Sequence, residues 1–226
     1  MAFERDEEIR EQFAEVPPHR LPDREPWEKV LPPNGRRWHT GPGWPRVIGI
    51  TGRKRSGKNT AAEGLVERGY EVVGFADPLK EAALDLNPLI SAGVRLRPIV
   101  DHFGWEKAKD QWPEVRRTLQ ALGTDVIRAR DPEFWVNAFL TRTAGRQVVV
   151  ADVRFDNEAQ VIHRLGGIVV EVIRPSLDDD GDTHASEAGV NAALIDLVLL
   201  NADSVQAMQR RLVRGLDRMY HNNENP

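Results

Sequence analysis

One run constrains this chain more than any other: Gly52-Arg53-Lys54-Arg55-Ser56-Gly57-Lys58-Asn59-Thr60. It follows the phosphate-loop pattern of Gly, four residues, then Gly-Lys. Glycines let the backbone turn tightly. Successive N–H groups and the start of the following helix then point at an anion. Lys58 adds a flexible positive charge that can follow a phosphoryl group in transit. Gly52, Arg55, Ser56, Gly57, Lys58, Asn59 and Thr60 are therefore the candidate phosphate-binding residues. Such a loop needs a buried strand before it and a helix after it, and the flanks comply. The apolar run Val47-Ile48-Gly49-Ile50 predicts the strand. Asn59 to Arg68 predicts the helix, with Ala61, Leu65 and Arg68 at helical spacing and Gly69 as its stop. Tyr70 to Ala76 predicts a second strand, completing a βαβ unit.

The rest of the chain repeats this alternation. Asp77-Pro78, Pro113 and Asp131-Pro132 each place a proline at a helix start in the middle of the chain. Gly123-Thr124 is expected to break the second of these helices. Gln147 to Ala151, Ile168 to Ile173 and Leu194 to Leu200 predict further strands, with a helix over Phe155 to Leu165. Val205, Met208, Leu212, Val213 and Leu216 mark one face of a closing helix. The expected fold is α/β of the P-loop NTPase kind: a parallel sheet of about five strands flanked by helices. Residues 1–45 stand apart as a Pro/Trp-rich N-terminal arm carrying Trp27, Trp38 and Trp44. It is read either as packing on the core through those tryptophans or as a tail. Residues 46–226 form the expected compact domain.

Composition removes several function classes. The formal net charge is -4, so no global basic excess points to a nucleic-acid partner. The chain has no cysteine, which excludes disulfides and thiolate metal sites. No apolar run is long enough to span a bilayer, and the charged start Met1 to Phe13 lacks a signal-peptide core. A cytoplasmic protein with small-molecule partners is the default expectation, with oligomeric state, a homodimer included, left open.

The second chemical signal is Val148-Val149-Val150-Ala151-Asp152, a carboxylate at the end of a buried strand. In this architecture Asp152 faces the phosphates and can hold Mg²⁺, directly or through water. The loop itself departs from the usual pattern: Asn59 stands where a Mg²⁺-binding Ser or Thr is expected, and the hydroxyl arrives at Thr60. That spacing is similar to nucleotide kinases of the adenylate-kinase kind.

Further stretches carry a closer resemblance. Asp152-Val153-Arg154-Phe155-Asp156-Asn157-Glu158, Phe75-Ala76-Asp77-Pro78-Leu79-Lys80 and Leu119-Gln120-Ala121-Leu122-Gly123-Thr124-Asp125 are all present. So are Asp131-Pro132-Glu133-Phe134-Trp135 and His184-Ala185-Ser186-Glu187. Together they resemble the bacteriophage-type deoxynucleoside monophosphate kinases from about Arg46 to the C-terminus. Asp156 replaces the family's usual proline, and both residues suit a helix start. The resemblance implies transfer of the ATP γ-phosphoryl group to a (deoxy)nucleoside 5′-monophosphate, with Mg²⁺. It also implies a helical acceptor-binding insert over about residues 77–144 and a lid over about 174–188.

Two anionic substrates demand converging cations. Lys58, Arg154 and Arg174 are the catalytic candidates, and Arg130 is a weaker candidate for contact with substrate. Phe75, Asp77, Lys80, Arg128, Trp135 and Arg154 are candidates for the acceptor site, and Thr60 and Asp152 for the metal. Asp178 to Asp182 reads as a solvated loop. His184 and Glu187 carry no role beyond tethering. Asn201 reads as a turn residue, or as part of a loop touching adenine. Two alternatives remain: a P-loop kinase of another small acceptor, of the dephospho-coenzyme A or sugar-acid type, and a non-catalytic nucleotide-binding module.

Overall fold

The computed structural model describes residues 43–91, 93–176 and 189–221. The apolar runs become strands because their residues are buried on both faces, as a parallel sheet demands. β1 (Val47–Thr51), β5 (Val148–Val150) and most of β6 (Ile168–Ile173) are buried, with β2 (Glu71–Val73) and β7 (Leu197–Leu200) at the edges. The order is β2-β5-β1-β6-β7, and every pairing is parallel. Val47 lies opposite Val148, and Ile48 opposite Ile168.

Strand alternation sends neighbouring side chains to opposite layers. Ile48 and Ile50 join Leu65, Met208, Leu212 and Leu216 on one face. There the sheet is covered by α1 (Lys58–Glu63) and by the closing helix, α7 (Val205–His221). Val47, Val148 and Val150 join Val136, Phe139 and Ile162 on the other. That layer is covered by α5 (Phe134–Thr143) and α6 (Asp156–Arg164). Trp44 packs on the first layer: its indole donates to Asp217 at 3.0 Å, and Arg68 lies over its ring. Trp27 and Trp38 lie outside the described residues.

The middle of the chain forms its own buried cluster, including Ala83, Leu96, Ile99, Ala108 and Val115. It contains α2 (Asp77–Leu86), α3 (Leu96–Gln111, interrupted at Gly104) and α4 (Pro113–Gln120). An antiparallel hairpin, β3 (Leu89–Ser91) with β4 (Val94–Arg95), joins α2 to α3. The sequence reading expected only helices here.

Three local expectations are corrected. The helix after the loop is shorter than Asn59 to Arg68: it stops at Glu63, and a separate turn covers Val66–Arg68. Gly64, which closes the helix, lies against Gln209 of α7 with no room for a side chain. Gly123-Thr124 does not break its helix. The chain continues through a π-helical run, Ala121–Arg128, in which Gly123 is buried and Leu79 takes the space its side chain would fill. The last strand starts at Leu197, since Ala192–Leu194 forms a short turn instead. Among the described residues, no helix is long and apolar enough to cross a membrane.

Candidate functional site

Because the strands are parallel, all their carboxyl ends open on one side. Strand order reverses about β1, whose neighbours β5 and β6 lead into different connections, and ligands bind outside such a switch point. Around it stand Gly52 after β1, Gly74 after β2, Asp152 after β5, Arg174 after β6 and Asn201 after β7.

At two positions the loop after β1 has backbone that only glycine tolerates. Gly52 has φ 135°, and a Cβ there would sit 2.4 Å from the Val172 carbonyl. Gly57 has φ 103°, and a Cβ would meet Asn201 Nδ2 at 2.5 Å. Arg55 adopts φ 63°, an uncommon value for a residue with a side chain. Ser56 N–H donates to the Arg53 carbonyl at 3.1 Å, closing the turn. Lys58 Nζ reaches back across it, donating to the carbonyls of Gly52 at 2.6 Å and Arg53 at 2.7 Å.

Two other elements brace the loop. Asn201 Nδ2 donates to the Ser56 carbonyl at 2.8 Å, and Gln209 Nε2 to the Thr60 carbonyl at 2.9 Å. Inside the loop, Ser56 Oγ is buried and makes no hydrogen bond among the described residues. Buried polar atoms are ordinarily satisfied, so this hydroxyl suits a bound polar group such as a phosphate.

Asp152 organises the neighbouring turn. Its Oδ1 accepts from Phe75 N–H at 2.8 Å and its Oδ2 from Ala76 N–H at 3.0 Å. Asp77 Oδ2 accepts from Gly74 N–H at 2.7 Å, while its Oδ1 receives Lys80 Nζ at 2.8 Å. Burial works against the charge on Lys80, yet Asp152, Asp77 and Glu106 together hold its pKa above the usual lysine value. Lys80 therefore stays cationic beside the end of β2.

Thr60 and Asp152 meet the chemical demand of Mg²⁺, which prefers hard oxygen donors and keeps several waters. A carboxylate oxygen that accepts one N–H retains lone-pair capacity. Among the described residues no group of three or more His, Asp or Glu could cage a metal.

The stretch after Asp152 is held by a residue to which the sequence reading gave no role. Glu158 is 2% exposed. Its Oε2 accepts from the backbone N–H groups of Arg154 at 2.8 Å and Phe155 at 3.2 Å, and its Oε1 pairs closely with Arg128. Burial lifts the Glu158 carboxyl to about 7, against the opposing pull of Arg128 and the two N–H groups. The Arg128 guanidinium also donates to Asn157 Oδ1 at 3.1 Å and covers the Phe155 ring. Arg128 is thus engaged in setting the path of the chain through Arg154. Glu158 three residues into its helix, accepting from the cap backbone, is the local pattern that announces such a role. Asn201 gave no such signal, since its partner is 145 residues away in sequence.

The other candidates are placed as follows. The Phe75 ring is buried against Phe139, with centroids 4.4 Å apart. Trp135 is buried and donates to the Gly123 carbonyl at 2.9 Å. Arg154 is half-buried two residues after Asp152, and Asn59 and Arg130 are exposed. Arg55 reaches Asp110 of α3 at 3.1 Å, linking the loop to the helical middle. Arg174 is exposed at the end of β6 and donates to Ser176 Oγ at 3.4 Å. Asp178 to Asp182, His184 and Glu187 lie outside the described residues, as does the expected lid beyond Ser176. Asp156, in the family's proline position, begins α6 and accepts from Asn191 N–H at 2.8 Å.

A family model described as deoxynucleotide monophosphate kinase matches residues 99–212. A protein of Acanthamoeba polyphaga mimivirus, provisionally assigned as a deoxynucleotide monophosphate kinase, is 31% identical over 194 residues, 76% of this chain and 96% of its own length. The deoxynucleotide monophosphate kinase of Enterobacteria phage T4 is 35% identical over 107 residues, 44% of each chain. Among solved structures, a dephospho-CoA kinase from Campylobacter jejuni is similar at TM-score 0.40 and 14% identity, covering 79% of this chain and 98% of that one.

Proposed function

The chain belongs to the deoxynucleotide monophosphate kinase family, and from that premise we propose that it transfers the γ-phosphoryl group of ATP to a deoxynucleoside 5′-monophosphate. The observation that carries this reading is convergence. The phosphate loop, Asp152, Lys80 and the braced Arg154 segment all stand at the carboxyl ends of adjacent strands. Two polyanions can meet there only if cations and N–H groups neutralise them.

The loop N–H groups and Lys58 hold the donor's outer phosphates. Lys58 exchanges its two carbonyl partners for phosphate oxygens, and Ser56 Oγ gains a partner. Lys80 and Arg154 receive the acceptor's phosphate, Arg154 as a planar fork suited to it. An acceptor oxygen forms the new P–O bond as the bond from the γ-phosphorus to the ADP oxygen breaks. That oxygen already carries negative charge, so no general base is needed, and catalysis rests on alignment and charge neutralisation. Thr60 and Asp152 would hold Mg²⁺, which supplies further neutralisation of the phosphate oxygens. Phe75 and Trp135 shape the acceptor side from within the core. Arg174 closes on the phosphates from the end of β6. The protein acts in the cytoplasm on free nucleotides, without nucleic acid or membrane.

The test is ADP release from Mg·ATP against a panel of ribo- and deoxyribonucleoside monophosphates. Stimulation by one or more deoxy forms is the expected result and gives the base preference directly. ATP binding without stimulation by any of them overturns the assignment.

A further inference from the structure

The helical middle faces the phosphate crevice with a cation that neither motif nor spacing singles out. After the interruption at Gly104, α3 carries Glu106, Lys109 and Asp110 on adjacent turns. Asp110 takes the Arg55 guanidinium of the phosphate loop at 3.1 Å. Glu106 lies close enough to Lys80, beside the end of β2, to act on its charge. This stretch of α3 therefore spans from the loop after β1 to the turn after β2, across the gap in which the two nucleotides must meet. Its seat is firm: Ala108 shares a buried cluster with Ala83 of α2, one turn beyond Lys80.

Lys109 is held in an unusual way for a surface lysine. Its side chain is 17% exposed, and its ammonium lies 2.6 Å from Glu106 Oε1. Burial first, and then the positive charges of Lys80 and Arg116, hold its pKa below the usual lysine range against the pull of Glu106. Lys80 is in the same position, 27% exposed and paired with Asp77 three residues earlier. Two lysines on neighbouring helices, each partly desolvated and each parked on a carboxylate one turn back, repel one another. Bringing like charges together costs free energy, and a phosphate bearing two negative charges between them offsets that cost.

We propose that Lys109 is a further acceptor-binding residue: with Lys80, it clamps the 5′-phosphate of the nucleoside monophosphate from the side of the helical insert. Glu106 holds its ammonium until the acceptor arrives. This rests on the kinase reading above and adds to it a residue from α3. Lys109 then neutralises the acceptor, not the donor, so its effect falls on one substrate.

The experiment is steady-state kinetics on the full chain, with ATP and the preferred deoxynucleoside monophosphate varied separately. Lys109→Met should raise the acceptor KM roughly ten- to hundredfold, the scale of one lost hydrogen bond to a charged group. The KM for ATP should stay within about twofold of wild type by the same argument. Lys109→Arg should recover much of the loss, and Glu106→Gln, which releases the ammonium, should lower the acceptor KM. An unchanged acceptor KM in Lys109→Met overturns the proposal, as does an equal rise in both KM values. If Lys109→Met does not fold, an acceptor KM in Glu106→Gln that is unchanged or raised overturns it. A wild-type chain that turns over no monophosphate sinks the kinase reading itself, before any variant is made.

Discussion

The phosphate loop and the Asp152–Glu158 stretch stand side by side at the ends of β1 and β5, yet they are held by different means. The loop owes its shape to backbone: positive φ at Gly52 and Gly57, a turn closed by Ser56 N–H, and a lysine folded over its own carbonyls. The stretch after β5 owes its shape to a buried carboxylate and a guanidinium contributed from thirty residues earlier in the chain. Backbone geometry is robust to loss of one side chain. A buried ion pair is not, because removing one partner strands the other charge. The two halves of one site should therefore fail differently, the loop in chemistry and the Glu158 hub in stability.

The largest effect should come from Glu158→Ala. Urea unfolding near pH 5, where the contribution of the Glu158 carboxyl is still in place, should show a loss of about 3–5 kcal/mol, from Arg128 left buried without its carboxyl partner. A loss below about 1 kcal/mol would erase the contrast between the two regions. Next, Lys58→Ala should lower kcat about 10²–10³-fold while leaving the unfolding midpoint nearly unchanged. Near-normal turnover would remove the loop from the chemistry.

The hub also has a pH signature. The folded-state pKa of Glu158, about 7, lies above its ordinary value of 4.5. Its contribution is therefore complete below the ordinary value and is lost as pH rises through 7. Wild-type stability measured against Glu158→Gln should fall between about pH 5 and pH 8, and a flat difference would show that the carboxyl titrates normally. Asn201→Ala should cost about 0.5–1.5 kcal/mol by freeing the Ser56 carbonyl, read by thermal unfolding. Smallest of all, a double-mutant cycle on the exposed pair Arg55 and Asp110 should return a coupling of roughly 0.2–1 kcal/mol, shrinking with added salt.

The same contrast explains what the sequence made legible. Strand, loop and helix around Gly52 to Thr60 are local patterns, and the sheet built on them follows from alternation of apolar runs. Within that sheet the strand ends shift by one to three residues. Asp152 was legible as a carboxylate at a strand end, but its grip on Phe75 and Ala76 was not, since those N–H groups come from a different strand connection. Arg128 read as an acceptor candidate because an arginine on a helix carries no mark of its partner. Its pairing with Glu158 depends on how two distant helices pack. Phe75 and Trp135 illustrate the same limit: aromatic spacing does not say which way a ring turns.

The π-helical run Ala121–Arg128 adds a consequence for how this chain tolerates length changes. An α-helix turns about 100° per residue, and a π-turn absorbs an extra residue without altering the helices on either side. Here the extra residue lies between α4 and the arginine that meets Glu158. Deleting one residue from 121–127 would let the segment relax to an ordinary α-helix. A deletion from the ordinary turns of α4, which have no such slack, would instead rotate the Arg128 position by about a quarter turn away from its carboxylate. The site is in that sense indexed by residue count. A deletion inside this run is a local event, whereas a single-codon deletion in α4 would uncouple the β5 side of the crevice while leaving the phosphate loop in place.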